Sequence, residues 1–391
     1  MRSAKTIIPF NYKNNLHKFY FLMVVKTITC HNVYNHGASL QEYALLEVLK
    51  KLGHDSEAIN YQPSYLADNY RLFGIPNPKW QKNVITKFLY ILAKLPERVN
   101  NIPRYKKFDD FSKTYIKSTK KLYKNNEELK KNLPFADAFI CGSDQIWNAQ
   151  FQNGKDPAFY LDFVPDDKLK VSYAASLIIN KINNSHLDFV EKAVKRINFV
   201  SVRENSGAII LNNLYINNVY HVLDPVFLID KDIWKNNFVT PMTKKFVLIY
   251  DFDNNLFLKK QAIEYAKKHK LKIFALTKKT IYADKIFWKI SPVDFVNLIA
   301  NASMVFTNSF HAIAFSLIFE KQFFAVRRRE NINTRIEDLL SDLNIVYRLI
   351  DEDSGEIQKI NLIDFNKVCA VINKRKEESI NFIKNSLNAK I

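Results

Sequence analysis

Glycine is scarce in this chain, with seven in 391 residues. Glycine alone lets the backbone turn left-handed freely and lets another group come closer than a Cβ allows, so a sequence this sparing is expected to keep it at sharp turns or ligand contacts. Three of the seven end apolar runs inside short polar clusters: Gly37 in Tyr34-Asn-His-Gly-Ala-Ser-Leu-Gln41, Gly142 in Phe139-Ile-Cys-Gly-Ser-Asp-Gln-Ile-Trp-Asn148, and Gly207 in Val200-Ser-Val-Arg-Glu-Asn-Ser-Gly207. Cysteine is rarer still. Cys30, Cys141 and Cys369 are too scattered for a disulfide framework or a metal-ligand pattern. No run approaches the roughly 20 apolar residues of a transmembrane helix. Residues 19–25 suit only a buried strand, and the lysine-bearing residues before them lack the apolar core and cleavage site of a signal peptide. The cytoplasm is the expected compartment. A Walker A loop, a G-x-G-x-x-G fingerprint and an H-E-x-x-H helix are missing too, which argues against ATPase, nicotinamide and zinc-protease chemistry.

Acidic residues are also in deficit, 39 against 58 basic ones, for a net charge of +19. Nearly all of it is lysine, 46 against 12 arginines, and lysine, asparagine and isoleucine are abundant together. Biased nucleotide composition produces the same pattern, so charge alone does not name a partner. No zinc finger, RNP signature or basic-region zipper accompanies it, so nucleic acid is not expected. An anionic membrane surface suits the charge better. Residues 80–98 carry Val84, Phe88, Leu89, Ile91, Leu92 and Leu95 among lysines and an arginine, a pattern that fits an amphipathic helix lying on a bilayer and equally one packed on the core.

Length, with 47% hydrophobic and 25% charged residues, suits two domains with full cores. Strand patterns at 19–29 and 58–61 enclose a helical spacing at 40–52, a βαβ opening. A basic helical region covers about 79–131. Further strands are expected at 138–141, 171–175, 199–202 and 220–223. A second series follows: strands at 247–250 and 271–276, helices at 256–269 and 292–300. This predicts an α/β protein of two Rossmann-like domains facing across a cleft, residues 1–235 with the basic insertion and 236–391, the last helix being a candidate to cross back. Ligands bind such sheets outside the carboxyl ends of the strands, where the motif loops fall.

One segment carries the clearest chemistry. Residues 304–306 and 323–326 are strand-like, and between them Asn308 or Ser309 can cap a helix whose first turn holds His311. Free N–H groups and the helix dipole there favour an anion, and an imidazole can bind phosphate or move a proton. Capping and packing alone are the plain alternative. Five of the twelve arginines lie between Arg327 and Arg348, with Arg335 near a helix start, where the dipole disfavours a cation unless something offsets it. Asp224 before Pro225 reads as a turn starter.

The blocks Asn35-His-Gly-Ala-Ser-Leu-Gln-Glu-Tyr-Ala-Leu45, Gly142-Ser-Asp-Gln-Ile-Trp-Asn148, Ser172-Tyr-Ala-Ala-Ser176, Ser201-Val-Arg-Glu204, Leu223-Asp-Pro225 and Asn308-Ser-Phe-His311 resemble the polysaccharide pyruvyl transferase family in kind and order. Two departures stand out: Ala312 follows the motif histidine where the family has glycine, and Leu177 and Ile178 stand where a glycine often comes. The resemblance implies a fold similar to GT-B glycosyltransferases, residues 1–235 forming the acceptor side and 236–391 the donor side. It implies phosphoenolpyruvate as donor substrate, no cofactor or metal, and a pyruvate ketal formed on a sugar or lipid-linked oligosaccharide. The basic surface adds an expected peripheral contact with an anionic membrane at its inner face. In that reading His311 is the acid and Asp144 the base. Arg203, Ser309, Phe310 and Arg335 hold the donor; Asn35, Gly37, Gln41, Gln145 and Trp147 meet the acceptor. A nucleotide-sugar glycosyltransferase and a non-catalytic sugar-binding scaffold are the alternatives.

Overall fold

The computed structural model describes residues 22–178, 184–329, 333–354 and 357–389. The first half holds strands β1 (Val24–Ile28), β2 (Asp55–Ala58), β3 (Ala138–Cys141), β4 (Leu169–Ser172), β5 (Val200–Val202) and β6 (Val219–His221). The second holds β7 (Phe246–Tyr250), β8 (Lys272–Ala275), β9 (Lys285–Ile286), β10 (Met304–Thr307), β11 (Phe323–Val326) and β12 (Leu349–Ile350). Of the strand expected over 19–29, residues 19–21 lie outside the described residues. Around the sheets run α1 (His36–Lys51), α2 (Ser64–Ala67), α3 (Val84–Tyr115), α4 (Asn126–Lys131), α5 (Asn184–Lys195), α6 (Asn205–Asn213) and α7 (Lys231–Phe238). They continue with α8 (Leu256–Lys268), α9 (Pro292–Asn301), α10 (Phe310–Ile318), α11 (Thr334–Asp342) and α12 (Phe365–Asn388).

The strands pair in parallel, in the orders β2-β1-β3-β4, β5-β6 and β12-β11-β10-β7-β8-β9. Bridges Val171 to Phe199 and Ala175 to Val202 carry the first sheet across from β4 to β5. Every residue of β3, β7, β10 and β11 is buried, as parallel strands covered on both faces must be, which is why they read as unbroken apolar runs. The result is two Rossmann-like α/β halves facing across a cleft, a GT-B-like arrangement. Strand order reverses between β1 and β3 in one sheet and between β7 and β10 in the other. Such switch points open a crevice beyond the strands' carboxyl ends.

The halves are packed together by aromatic side chains. Trp234 of α7 is 1% exposed and donates its indole N–H to the Val226 carbonyl at 3.1 Å. Its ring meets Tyr43 of α1 at 5.6 Å and Phe315 of α10 at 5.0 Å. Helix α12 lies against the first half: Ser379 Oγ accepts the Leu223 N–H, and Phe382 packs on Tyr173 and Tyr220. The basic region resolves into the 32 residues of α3 and the short α4. Phe108 and Phe111 anchor the C-terminal part of α3, but Val84, Ile85, Phe88, Leu89 and Leu92 near its start are exposed, so that apolar stripe does not pack on the core. No helix among the described residues is long and apolar enough to cross a membrane.

Truncating Trp234 to Ala removes a ring that touches both halves. The unfolding free energy should fall by about 3–5 kcal/mol, the usual range for emptying a large aromatic site. Urea unfolding measures this, and a loss under about 1 kcal/mol would mean that the ring does not tie the halves together.

Candidate active site

Both switch points open into one cavity of about 240 Å³. Cys30 and Asn35 reach it from beyond β1, Asp144 and Gln145 from β3, Tyr250 and Phe252 from β7, Ser309 and His311 from β10, and Arg335 from α11. Aromatic walls and a few polar groups surround it, the usual make-up of a small-molecule site.

His311 is placed by three neighbours. Ser309 caps α10, its Oγ accepting the Ala312 N–H at 3.4 Å, and Ala312, in place of the family glycine, is fully buried in the helix. Gly37, in the first turn of α1, lies directly against the imidazole: a Cβ there would come within 1.9 Å of His311 Nδ1. This glycine, expected to meet the acceptor, lines the cavity and also makes room for the histidine. On the ring's other side, Nε2 stands 3.6 Å from Asp224 Oδ2, an ion-pair distance too long for a hydrogen bond.

Asp224 is the node that sequence reasoning missed. Its Oδ1 accepts the Val226 N–H at 3.1 Å, the turn role expected of Asp-Pro. Its Oδ2 takes Arg203 Nη1 at 2.7 Å and the Ser143 hydroxyl at 3.4 Å. Burial pushes this carboxyl up, but His311 and Arg203 outweigh it and hold the group well below the usual carboxylate range.

Arg203 is likewise buried, with Glu204 Oε2 at 3.9 Å from its Nε. Glu204 is otherwise engaged: its Oε1 accepts the Ser176 hydroxyl and the N–H groups of Leu177 and Ile178. Ile178 has φ +59°, a left-handed conformation that a β-branched residue adopts only under such restraint, and the family's glycine often falls nearby. Arg203 Nε and Nη2 and Arg335 Nε are buried and have no hydrogen-bond partner among the described residues. Both guanidiniums lie over the Phe310 ring, at 4.8 and 5.4 Å from its centroid. Arg335 is pushed down to about 10 by burial and by the charge of Arg203, and stays cationic at neutral pH. A smaller cavity lined by Arg203, Asp224, Phe310 and Arg335 adjoins this cluster. Two under-bonded buried cations side by side leave room for an anion.

Other expected residues fall elsewhere. Gln41 is fully buried, donates to Thr29 and Ala38 and accepts the Ser143 N–H, so it braces the loop after β3 from beneath. Trp147 is also core, donating to the Phe159 carbonyl and stacking on Tyr160. Neither lines the cavity among the described residues. Asn35 lines it while capping α1 through the N–H groups of Gly37 and Ala38.

Replacing Asp224 with Asn takes from buried Arg203 its hydrogen-bonded counter-ion and leaves only Glu204 Oε2 at 3.9 Å. At neutral pH the variant should lose about 3–5 kcal/mol of stability, the scale for breaking a buried pair. The Asp224 carboxyl titrates lower in the folded than in the unfolded chain, where it ionises near pH 4. Its contribution is therefore present above that pH and lost as pH falls toward the folded value, so the gap to the wild type should narrow below pH ~4. A gap independent of pH in urea titrations would rule out the ion pair as its source.

No curated protein sequence matches the chain significantly. Among solved structures, an alpha-glucosyltransferase in complex with UDP is 10% identical, with 92% of this chain and 95% of that one covered and a TM-score of 0.46. Arabidopsis thaliana UGT89C1 complexed with UDP-L-rhamnose is 9% identical over 95% of this chain and 100% of that one, with a TM-score of 0.48. A family model described as polysaccharide pyruvyl transferase matches residues 35–330, from the N-cap of α1 to just beyond β11. With most of its length matched, including most of the cavity lining, the chain belongs to the polysaccharide pyruvyl transferase family.

Proposed function

We propose that the cleft moves the enolpyruvyl group of phosphoenolpyruvate onto two hydroxyls of a sugar, closing a pyruvate ketal and releasing phosphate. The observation that carries this is the pair of buried, under-bonded guanidiniums, Arg203 and Arg335, beside the start of α10. A donor with both a phosphate and a carboxylate supplies the missing acceptors, and guanidinium forks bind such groups with two parallel hydrogen bonds.

In this reading His311 delivers a proton to the methylene carbon of the enol, and C2 becomes electrophilic. Asp224, 3.6 Å from Nε2, steadies the imidazolium before that transfer. A sugar hydroxyl adds to C2 and gives up its proton to Asp144, whose side chain makes no hydrogen bond among the described residues and lines the cavity together with Ser309 and His311. The C2–O bond to phosphate then breaks, and the second hydroxyl closes the ketal. Its proton restores His311, and the one held by Asp144 leaves with phosphate. Ser309 and the free N–H groups at the start of α10 steady the departing phosphate.

Phosphoenolpyruvate should raise the melting temperature of the purified protein. Stabilisation by nucleotide sugars alone would assign the cleft to glycosyl transfer instead. Arg203→Lys keeps the charge but loses the fork, so donor binding should weaken by about 1.5–3 kcal/mol, the scale of a charged hydrogen bond.

His311→Gln separates chemistry from binding. Donor affinity should hold within a few-fold while turnover falls by roughly 10² to 10⁴, the scale of general acid catalysis. Wild-type turnover in that variant would leave the motif as a helix cap only.

A further inference from the structure

Val84, Ile85, Phe88, Leu89 and Leu92 of α3 are between 54% and 81% exposed. Their spacing places them on one face of the helix, and Trp80 and Phe73 extend the exposed apolar surface just before it. Folded surfaces rarely leave so contiguous a strip bare without a partner. The helix that carries it is well made: Asn83 and Thr86 form a reciprocal capping box.

Charge indicates what covers the strip. No acidic residue occurs between Asp68 and Glu97, whereas Arg71, Lys79, Lys82, Lys87 and Lys94 do. Among the described residues only the end members of this set are paired, Arg71 with Asp68 at 3.0 Å and Lys94 with Glu97 at 3.4 Å. A second copy docked face to face would set like charges together on a chain already at +19. An anionic bilayer takes both features at once, the apolar side chains at the acyl boundary and the lysines at the headgroups. We infer that the start of α3 docks this protein on an anionic lipid surface.

The same helix forms part of the rim of the cleft. Buried Arg98 donates to the carbonyls of Asp68 and Leu72, fastening the segment that puts Tyr70 on the cavity wall. Toward the second half, Lys278 meets Glu97 at 3.6 Å and Lys289 donates to Asn100 at 2.8 Å. A membrane under α3 therefore lies beside both lips of the cavity. On the transfer reading above, on which this consequence rests, a docked α3 would hold the cleft against the bilayer surface.

The test compares the wild type with the triple variant Ile85→Ser, Phe88→Ser, Leu92→Ser in sedimentation with phosphatidylglycerol–phosphatidylcholine vesicles and with phosphatidylcholine alone. The wild type should bind the anionic vesicles, more weakly as salt rises, and the variant should bind at least ~10-fold less. None of the three residues lines the cavity, so phosphoenolpyruvate should shift the melting temperature of both proteins equally. A wild type that stays off anionic vesicles, equal binding to neutral ones, or a variant that binds as well would overturn the docking inference. So would a wild-type dimer that the triple substitution dissolves, since the strip would then belong to a second copy. Loss of the phosphoenolpyruvate shift in the wild type strikes the transfer reading instead, which keeps the two failures apart.

Discussion

A carboxylate taken out of water must be met by cations or N–H groups, and Asp224 is met by elements from across the chain. It receives Arg203 from the end of β5 and Ser143 from the loop after β3, and it faces His311 on α10 of the other half. Its second oxygen meanwhile holds the turn that follows it. The large unfavourable energy of leaving any of these charges alone in the interior fixes their mutual placement more tightly than packing could. Cavity shape, ring orientation and the relation between the halves all lead back to this one group.

The cationic side of the cluster is deliberately under-satisfied. Arg203 and Arg335 repel one another, both lie over the Phe310 ring, and keep N–H groups that no protein oxygen meets among the described residues. An aromatic ring steadies two guanidiniums without neutralising either. Such a site stores electrostatic cost in its empty state and releases it to a polyanion, so charge complementarity and pre-organisation come from the same residues.

Much of the scaffold was legible because parallel strands covered on both faces have to be apolar throughout. Residues 138–141 and 323–326 read as strands from that run alone, and β3 and β11 have those limits. Segments 171–175 and 220–223 read less well, since β4 and β6 are short and displaced by one to three residues. Local grammar also offered Asn308 or Ser309 as a cap with His311 in the first turn behind it, and Ser309 is the cap. It failed where one side chain does two jobs. Asp224 satisfies a turn through one oxygen, and nothing nearby in sequence announces what the other oxygen holds. Gln41 and Trp147 failed for the opposite reason: both stand in motif blocks, but they serve the motif loops from below, a distinction that burial settles and spacing does not.

The contact between Gly37 and His311 has a mechanical meaning. Helix α1 belongs to the first half and α10 to the second, and the imidazole occupies the volume that any other residue at position 37 would fill. The ring is thus a feeler gauge between the two halves. Separating them by the width of a methyl group would uncover it to water, and bringing them closer would press it out of line with Asp224. Any change that alters how the halves seat, however far from the cleft, is therefore felt first at this nitrogen heterocycle.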